Sequence, residues 1–191
     1  MSQTIDELLI LLVVIGIILL IINNVIKRYG IQIAKVANTD FLTELQNRRG
    51  FDNTLRLIFE KNKFSNFAMF VFDIDNFKNI NDTYGHIFGD RIICLIASYA
   101  SEIIGENGMI ARWGGDEFAG ILQCSFEDSK AIANMITEKI NQDIELMKYN
   151  VTISLGLTRI EKLDTSNSLM VRADKAMYEA KNNGKNQIYI L

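Results

Sequence analysis

The 191-residue chain has no proline, a single histidine, a single tryptophan and two cysteines. With no proline and no low-complexity tract, no flexible linker announces itself. One histidine, His86, cannot supply an imidazole metal cluster. Cys94 and Cys124 sit in apolar runs without CxxC spacing, so reduced core thiols are expected rather than a disulfide or a zinc site. A formal net charge of −3 leaves no basic footprint, and no nucleic-acid partner is expected. The length suits one ordinary domain and a short extra segment.

Charge is also missing from Leu8 to Ile26, which is almost wholly Leu, Ile and Val and is long enough for a membrane-spanning helix. A cleaved signal peptide would want a basic start and a small-residue cleavage site, whereas this start carries Asp6 and Glu7. A buried core helix would show polar breaks on one face. Residues 1–28 are therefore expected to form a single-pass anchor in the inner (cytoplasmic) membrane. Lys27 and Arg28 favour a cytoplasmic position for everything that follows, and no external sensor domain is expected. Residues 29–38, with Ile31, Ile33, Ala34 and Ala37, read as a helical linker that could pair with its twin. The remaining domain is 39–191.

Within it, Arg112-Trp113-Gly114-Gly115-Asp116-Glu117-Phe118 joins two apolar segments through two glycines and presents adjacent carboxylates. Glycine is free to adopt positive φ, so a tight hairpin is predicted between strands Met109–Trp113 and Phe118–Gln123. A carboxylate pair in a loop is usually just solvated. This one has company. Asn66 to Ile74 reads as a strand buried on both faces that ends in Asp73 and Asp75. Burying such a carboxylate is costly unless hydrogen bonds, a cation or a metal neutralise it, and a metal is the economical reading. Phe77, Lys78, Asn81, Asp82, Gly85, His86, Gly89 and Asp90 then lead into an apolar helix from about Asp90 to Ile104.

These residues resemble the GGDEF family, the diguanylate cyclases. The matching motifs are Asp40-Phe41-Leu42-Thr43 with Asn47-Arg48-Arg49, the Asp73-Ile74-Asp75 to Asp90 series, the two-glycine turn, Val151-Thr152-Ile153-Ser154-x-Gly156, and Ala173-Asp174 to Asn186. They run in order from about residue 38 to the end.

A coarse reading adds helices at Arg48–Lys63 and from Ser125 or Asp128 through an apolar stripe of Ile132, Met135, Ile136, Ile140, Ile144 and Met147. A strand follows at Tyr149–Thr158, then a helix at Ser168–Asn183 closed by Gly184, and a last strand at Gln187–Ile190. The fold class expected is α+β, a βαββαβ sheet flanked by helices. The resemblance implies the same ferredoxin-like, nucleotidyl-cyclase-type architecture.

The resemblance implies Mg²⁺-dependent condensation of two GTP into cyclic di-GMP with release of two pyrophosphates, at a homodimer interface. Asp73, the Ile74 carbonyl, Asp116 and Glu117 would hold metal, with Asp116 also the proton acceptor. Asn81 and Asp90 would read guanine, and His86 would line the pocket, although a lone histidine after glycine is often only a cap or a packed ring. Lys181 and Lys185 would meet phosphates together with backbone amides near Phe77 and Lys78; a plain helix end would also favour such lysines. Lys185 stands where the family often has Arg, so a point charge replaces a bidentate fork. Asp40, Arg48 and Arg49 read as structural.

Two departures stand out. Glu44 replaces a usual glycine, and Gly105 and Gly108 replace the ends of the family's inhibitory Arg-x-x-Asp motif, so product inhibition through that site is not expected. Two alternatives stay open: a silent receptor for GTP or cyclic di-GMP, and a cyclase making a mononucleotide.

Overall fold

The computed structural model describes residues 2–60 and 66–191, with side chains described throughout these except at 2–14 and 30–34. The chain divides into two units, Met1–Ala37 and Asn38–Leu191.

The first unit belongs to a single helix, α1 (Ser2–Asn38). At about 1.5 Å per residue it is some 55 Å long. From Ile17 to Ile22 six consecutive apolar side chains are exposed. Among the described residues no helix is long and apolar enough to cross a membrane. The expected span at 8–26 lies partly outside them, at 8–14.

The second unit runs β1 (Gln46–Asn47), α2 (Arg48–Glu60), β2 (Phe67–Ile74), α3 (Phe77–Tyr84), α4 (His86–Ile104), β3 (Gly108–Gly114) and β4 (Glu117–Gln123). It continues with α5 (Phe126–Gln142), α6 (Ile144–Lys148), β5 (Ile153–Arg159), α7 (Ser166–Asn182) and β6 (Ile188–Ile190). The sheet order is β1-β3-β4-β2-β5-β6. Its four middle strands are antiparallel neighbours, whereas β1 and β6 add parallel edges. The expected βαββαβ core is present, with β2 at its centre.

Side chains alternate across β2 with the period of two that any strand imposes. Ala68, Phe70, Phe72 and Ile74 face the helices α3 to α6, packing with Ile80, Ile92, Ile96, Ile136, Ile140 and Leu146. Met69 and Val71 face the other way, onto Phe51 and Leu55 of α2 and Leu169, Ala173 and Met177 of α7. Asp73 continues that second row and so emerges on the α7 side. The approach there is close: a Cβ on Gly156 would lie 2.3 Å from the Met177 nitrogen and 2.4 Å from the Ala173 oxygen, so the backbone of α7 rests directly on β5.

Several expected boundaries moved. The polar series after Asp75 hides a helix, α3, whose buried residues are Phe77 and Ile80 at i, i+3 spacing. The stripe expected to run through Ile144 and Met147 breaks at Asp143, whose carboxylate accepts from the Leu146 amide and starts α6. Ile144 and Met147, beyond the break, are exposed at 86% and 58%, and Met135, within α5, is exposed at 53%, so none of the three is core. Asn150 turns the chain at φ 53°, so β5 begins only at Ile153. As expected, Ser125 caps α5 by accepting from the Asp128 amide. Gly184, at φ 111°, lets the Lys185 amide reach back to the Ala180 carbonyl and close α7.

The turn before β1 is pinned by Asp40, which accepts from the amide and hydroxyl of Thr43 at 2.9 and 2.8 Å and from Arg112 at 3.3 Å. Burial pushes the Asp40 carboxyl up, but these bonds outweigh it and hold it below the ordinary value. Asp40 is thus structural, as expected. Glu44 closes the same turn at φ 58°, a left-handed conformation costly for a residue with a Cβ. Glu44→Gly is expected to raise stability by about 0.5–1 kcal/mol, net of glycine's greater chain entropy when unfolded. Urea denaturation checks this, and a lower midpoint would refute it.

Candidate active site

The functional centre grows from the C-terminal end of β2 and the β3–β4 hairpin beside it. Of the two hairpin glycines only Gly115 takes positive φ, at 56°, and its carbonyl accepts from Arg112 Nε at 2.9 Å. The turn returns the chain so that Glu117 pairs in register with Asp73. The Ile74 amide donates to the Asp116 carbonyl at 3.3 Å. Three carboxylates, Asp73, Asp116 and Glu117, are thereby gathered from segments more than forty residues apart.

Burial pushes all three carboxyls above their ordinary values. Neighbouring charge adds to it: Asp116 and Asp75 act on Asp73, Glu117 acts on Asp116, and Asp73 acts on Glu117. Among the described residues one cation touches the group. Lys181, in the last turn of α7, places its ammonium 2.9 Å from Asp73 Oδ1.

Among the described residues no three His, Cys, Asp or Glu side chains converge tightly enough to hold a metal ion. The donor chemistry nevertheless fits a hard divalent cation: the available atoms are carboxylate and carbonyl oxygens, they are partly desolvated, and they repel one another.

Asp75 behaves otherwise. Nearly inaccessible at 2% exposure, it accepts from Thr152 Oγ1 and Ser154 Oγ, each at 2.7 Å, and from the Asn186 amide at 3.1 Å. Hydrogen bonds, not a metal, neutralise this second strand-end acid. The alternation of Thr152 and Ser154 at the start of β5 was the available signal.

The other predicted residues surround the cluster unevenly. Phe77, buried, and Lys78, exposed, open α3 directly after β2. Asn81 lies further along α3, and its Oδ1 is buried without a hydrogen-bond partner. Gly89 makes room for it, since a Cβ there would stand 1.9 Å from Asn81 Oδ1. His86 begins α4 and Asp90 follows one turn later; both are exposed. No hydrogen bond or ion pair among the described residues joins either of them to the carboxylates. Lys185 donates to Asn76 Oδ1 at 2.6 Å, which ties the segment after α7 to the turn after β2. Arg48 lies over Trp113, 4.5 Å from its ring centre, which gives it the structural role expected of it. A cavity of about 760 Å³, lined by Arg91, Lys139, Asp143, Glu145, Lys148 and Tyr149, contains none of these residues.

A partly buried carboxylate cluster and two lysines reaching the same strand end mark the functional centre of this α+β domain. Residues 37–187 match the model of the family described as diguanylate cyclase, GGDEF domain. The chain belongs to the GGDEF family.

It is 33% identical over 178 residues to the probable diguanylate cyclase DgcF of Escherichia coli, covering 87% of this chain and 54% of that one. It is 35% identical over 176 residues to the diguanylate cyclase VdcA of Vibrio cholerae, covering 85% and 50%. The chain thus spans about half the length of these curated relatives. Among solved structures it is similar to the coiled coil and GGDEF domain of DgcB from Caulobacter crescentus in complex with c-di-GMP, with a TM-score of 0.81 and 28% identity over 88% of this chain and 93% of that one. It is also similar to the diguanylate cyclase SiaD of Pseudomonas aeruginosa in complex with its activator SiaC, with a TM-score of 0.80 and 25% identity over 100% and 75%.

Gly89→Ala must drive the Asn81 amide from its place. Guanine-nucleotide binding is expected to weaken by about tenfold, the usual cost of losing a buried polar contact. Titration with a fluorescent GTP analogue measures this, and unchanged affinity would show that Asn81 Oδ1 does not face the nucleotide.

Proposed function

We propose that this chain is a diguanylate cyclase that condenses two GTP into cyclic di-GMP and releases two pyrophosphates. The observation that carries the reading is the carboxylate cluster of Asp73, Asp116 and Glu117, complete and desolvated on a GGDEF frame, with Lys181 in contact with it.

Each residue has a task. Asp116, its carboxyl pushed up by burial, is suited to take the proton from an attacking 3′-hydroxyl, because a base works best with a raised pKa. The unpartnered Oδ1 of Asn81 is an acceptor for guanine N–H groups, with Asp90 as a second acceptor and His86 at the pocket edge. Lys181 and Lys185 meet the phosphates, as do backbone amides near Phe77 and Lys78. Asp73, the Ile74 carbonyl, Asp116 and Glu117 would hold Mg²⁺, which when bound neutralises charge on the triphosphate and on departing pyrophosphate.

Two copies are required. One domain holds one GTP, and a product with two-fold symmetry forms between two identical half-sites facing each other, so the working species is a homodimer. The helix α1 is the anchor in this reading. Its six consecutive exposed apolar side chains from Ile17 to Ile22 cover every face of the helix, as a lipid-embedded segment does, and Lys27 and Arg28 favour a cytoplasmic position, at the inner membrane, for the catalytic domain.

Mass-resolved product analysis of the full chain with GTP and Mg²⁺ is expected to show cyclic di-GMP, reduced roughly a thousandfold by Asp116→Asn. GTP binding without product at any protein concentration would favour a silent receptor instead, and a cyclic mononucleotide would favour the other cyclase chemistry. Gly105 and Gly108 offer no cation to a cyclic dinucleotide phosphate, so added cyclic di-GMP is expected to leave initial rates unchanged. Noncompetitive inhibition by it would refute that. On cell fractionation the full chain is expected in the membrane pellet, released by detergent but not by high salt. A monodisperse soluble form without detergent would remove the anchor from this reading.

A further inference from the structure

Lys181 is asked to do two things that one ammonium cannot do at once. In this structure it contacts Asp73 Oδ1 at 2.9 Å. In the proposed reaction it meets phosphate. Its side chain is 30% exposed, against 13% for Asp73, and it lies in the last turn of α7. A lysine is a compact charge on a flexible four-carbon stem, so it can change partner without movement of the helix. Asp75 cannot substitute for Asp73, because its oxygens are already bound to Thr152, Ser154 and the Asn186 amide. The cation touching Asp73 is therefore one whose side chain is free to reach another partner.

We propose that Lys181 is an exchangeable counter-ion, which holds Asp73 in the nucleotide-free chain and leaves it for the phosphates of GTP, so that a divalent cation gains Asp73 only as nucleotide binds. The inference rests on the cyclase reading for the identity of the nucleotide, and it adds an order to binding at that site. While Lys181 occupies Asp73, an incoming cation must displace an ammonium and meet its repulsion. Once phosphate has drawn Lys181 away, both obstacles are gone. Linkage is reciprocal, so nucleotide and cation each strengthen the binding of the other. The chain would accordingly hold little divalent metal at rest. It would also avoid the alternative, a cluster of uncompensated carboxylates, in either state.

The test is Mn²⁺ binding to the nucleotide-free full chain, followed through the electron paramagnetic resonance signal of the free ion. Removing an opposing charge this close to a ligand oxygen is expected to tighten Mn²⁺ binding about tenfold in Lys181→Met. Lys181→Arg keeps the charge and is expected to match the wild type. Adding Asp73→Asn to Lys181→Met should abolish the gain and so locate it. Lys181→Gln serves as the second neutral variant, and circular dichroism confirms that each is folded. Equal Mn²⁺ affinity in the wild type and both neutral variants would overturn the proposal. Tighter Mn²⁺ binding in a chain that makes no cyclic dinucleotide would leave the exchange standing and remove the cyclase reading. Product formation with unaltered Mn²⁺ affinity would do the reverse.

Discussion

Two carboxylates end a strand that is buried on both faces, and the structure around the centre answers the need to neutralise them. Asp73 lies within β2 on its α7 face, whereas Asp75 is the first residue beyond the strand, where the chain has left the strand's alternation. Each acid recruits different help. Asp75 draws in the hydroxyls of Ser154 in β5 and of Thr152 just before it, and one amide from the segment between α7 and β6. Asp73 draws in Lys181 of α7. The same two acids therefore knit β2, β5, α7 and the approach to β6 into one unit. A strand end that is awkward to bury becomes the point where most of the domain's elements meet.

That division also separates stability from chemistry. Asp75 has every partner it needs from the chain itself and is locked in place. Asp73 has one partner, which is partly exposed and held by a flexible stem, and it stands beside Asp116 and Glu117, which repel it. A site proposed to change its ionic company cannot be as well satisfied as Asp75. Asn81 repeats the pattern in neutral form: its buried oxygen is left unpaired close against Gly89, whose missing side chain gives it room.

Much of this was legible from residue order. The two-glycine turn between apolar runs predicted the β3–β4 hairpin, and the run ending in Asp73 predicted β2. What escaped was local competition. An alternating polar series disguised α3, whose buried face is only Phe77 and Ile80. The apolar stripe continued past a helix end because Asp143 acts as a cap, and periodicity cannot distinguish a cap from an ordinary polar position. Sequence order also presented Asp73 and Asp75 as equivalent acids; the register sets Ser154 opposite Asp73, and only the side-chain hydrogen bonds show that Thr152 and Ser154 serve Asp75. At Glu44 the departure was visible, but its meaning required the backbone angle.

The contact at Gly156 carries a mechanical consequence. Because α7 touches β5 through backbone atoms at Ala173 and Met177, no compressible side chain lies between them to absorb a displacement. Lys181 stands four to eight residues beyond that contact, a lever arm of about 6–12 Å at the helical rise. Glycine at this position thus makes the helix a stiff support: the place of the Lys181 backbone is set by the sheet, and the freedom left to its ammonium is that of the side chain alone.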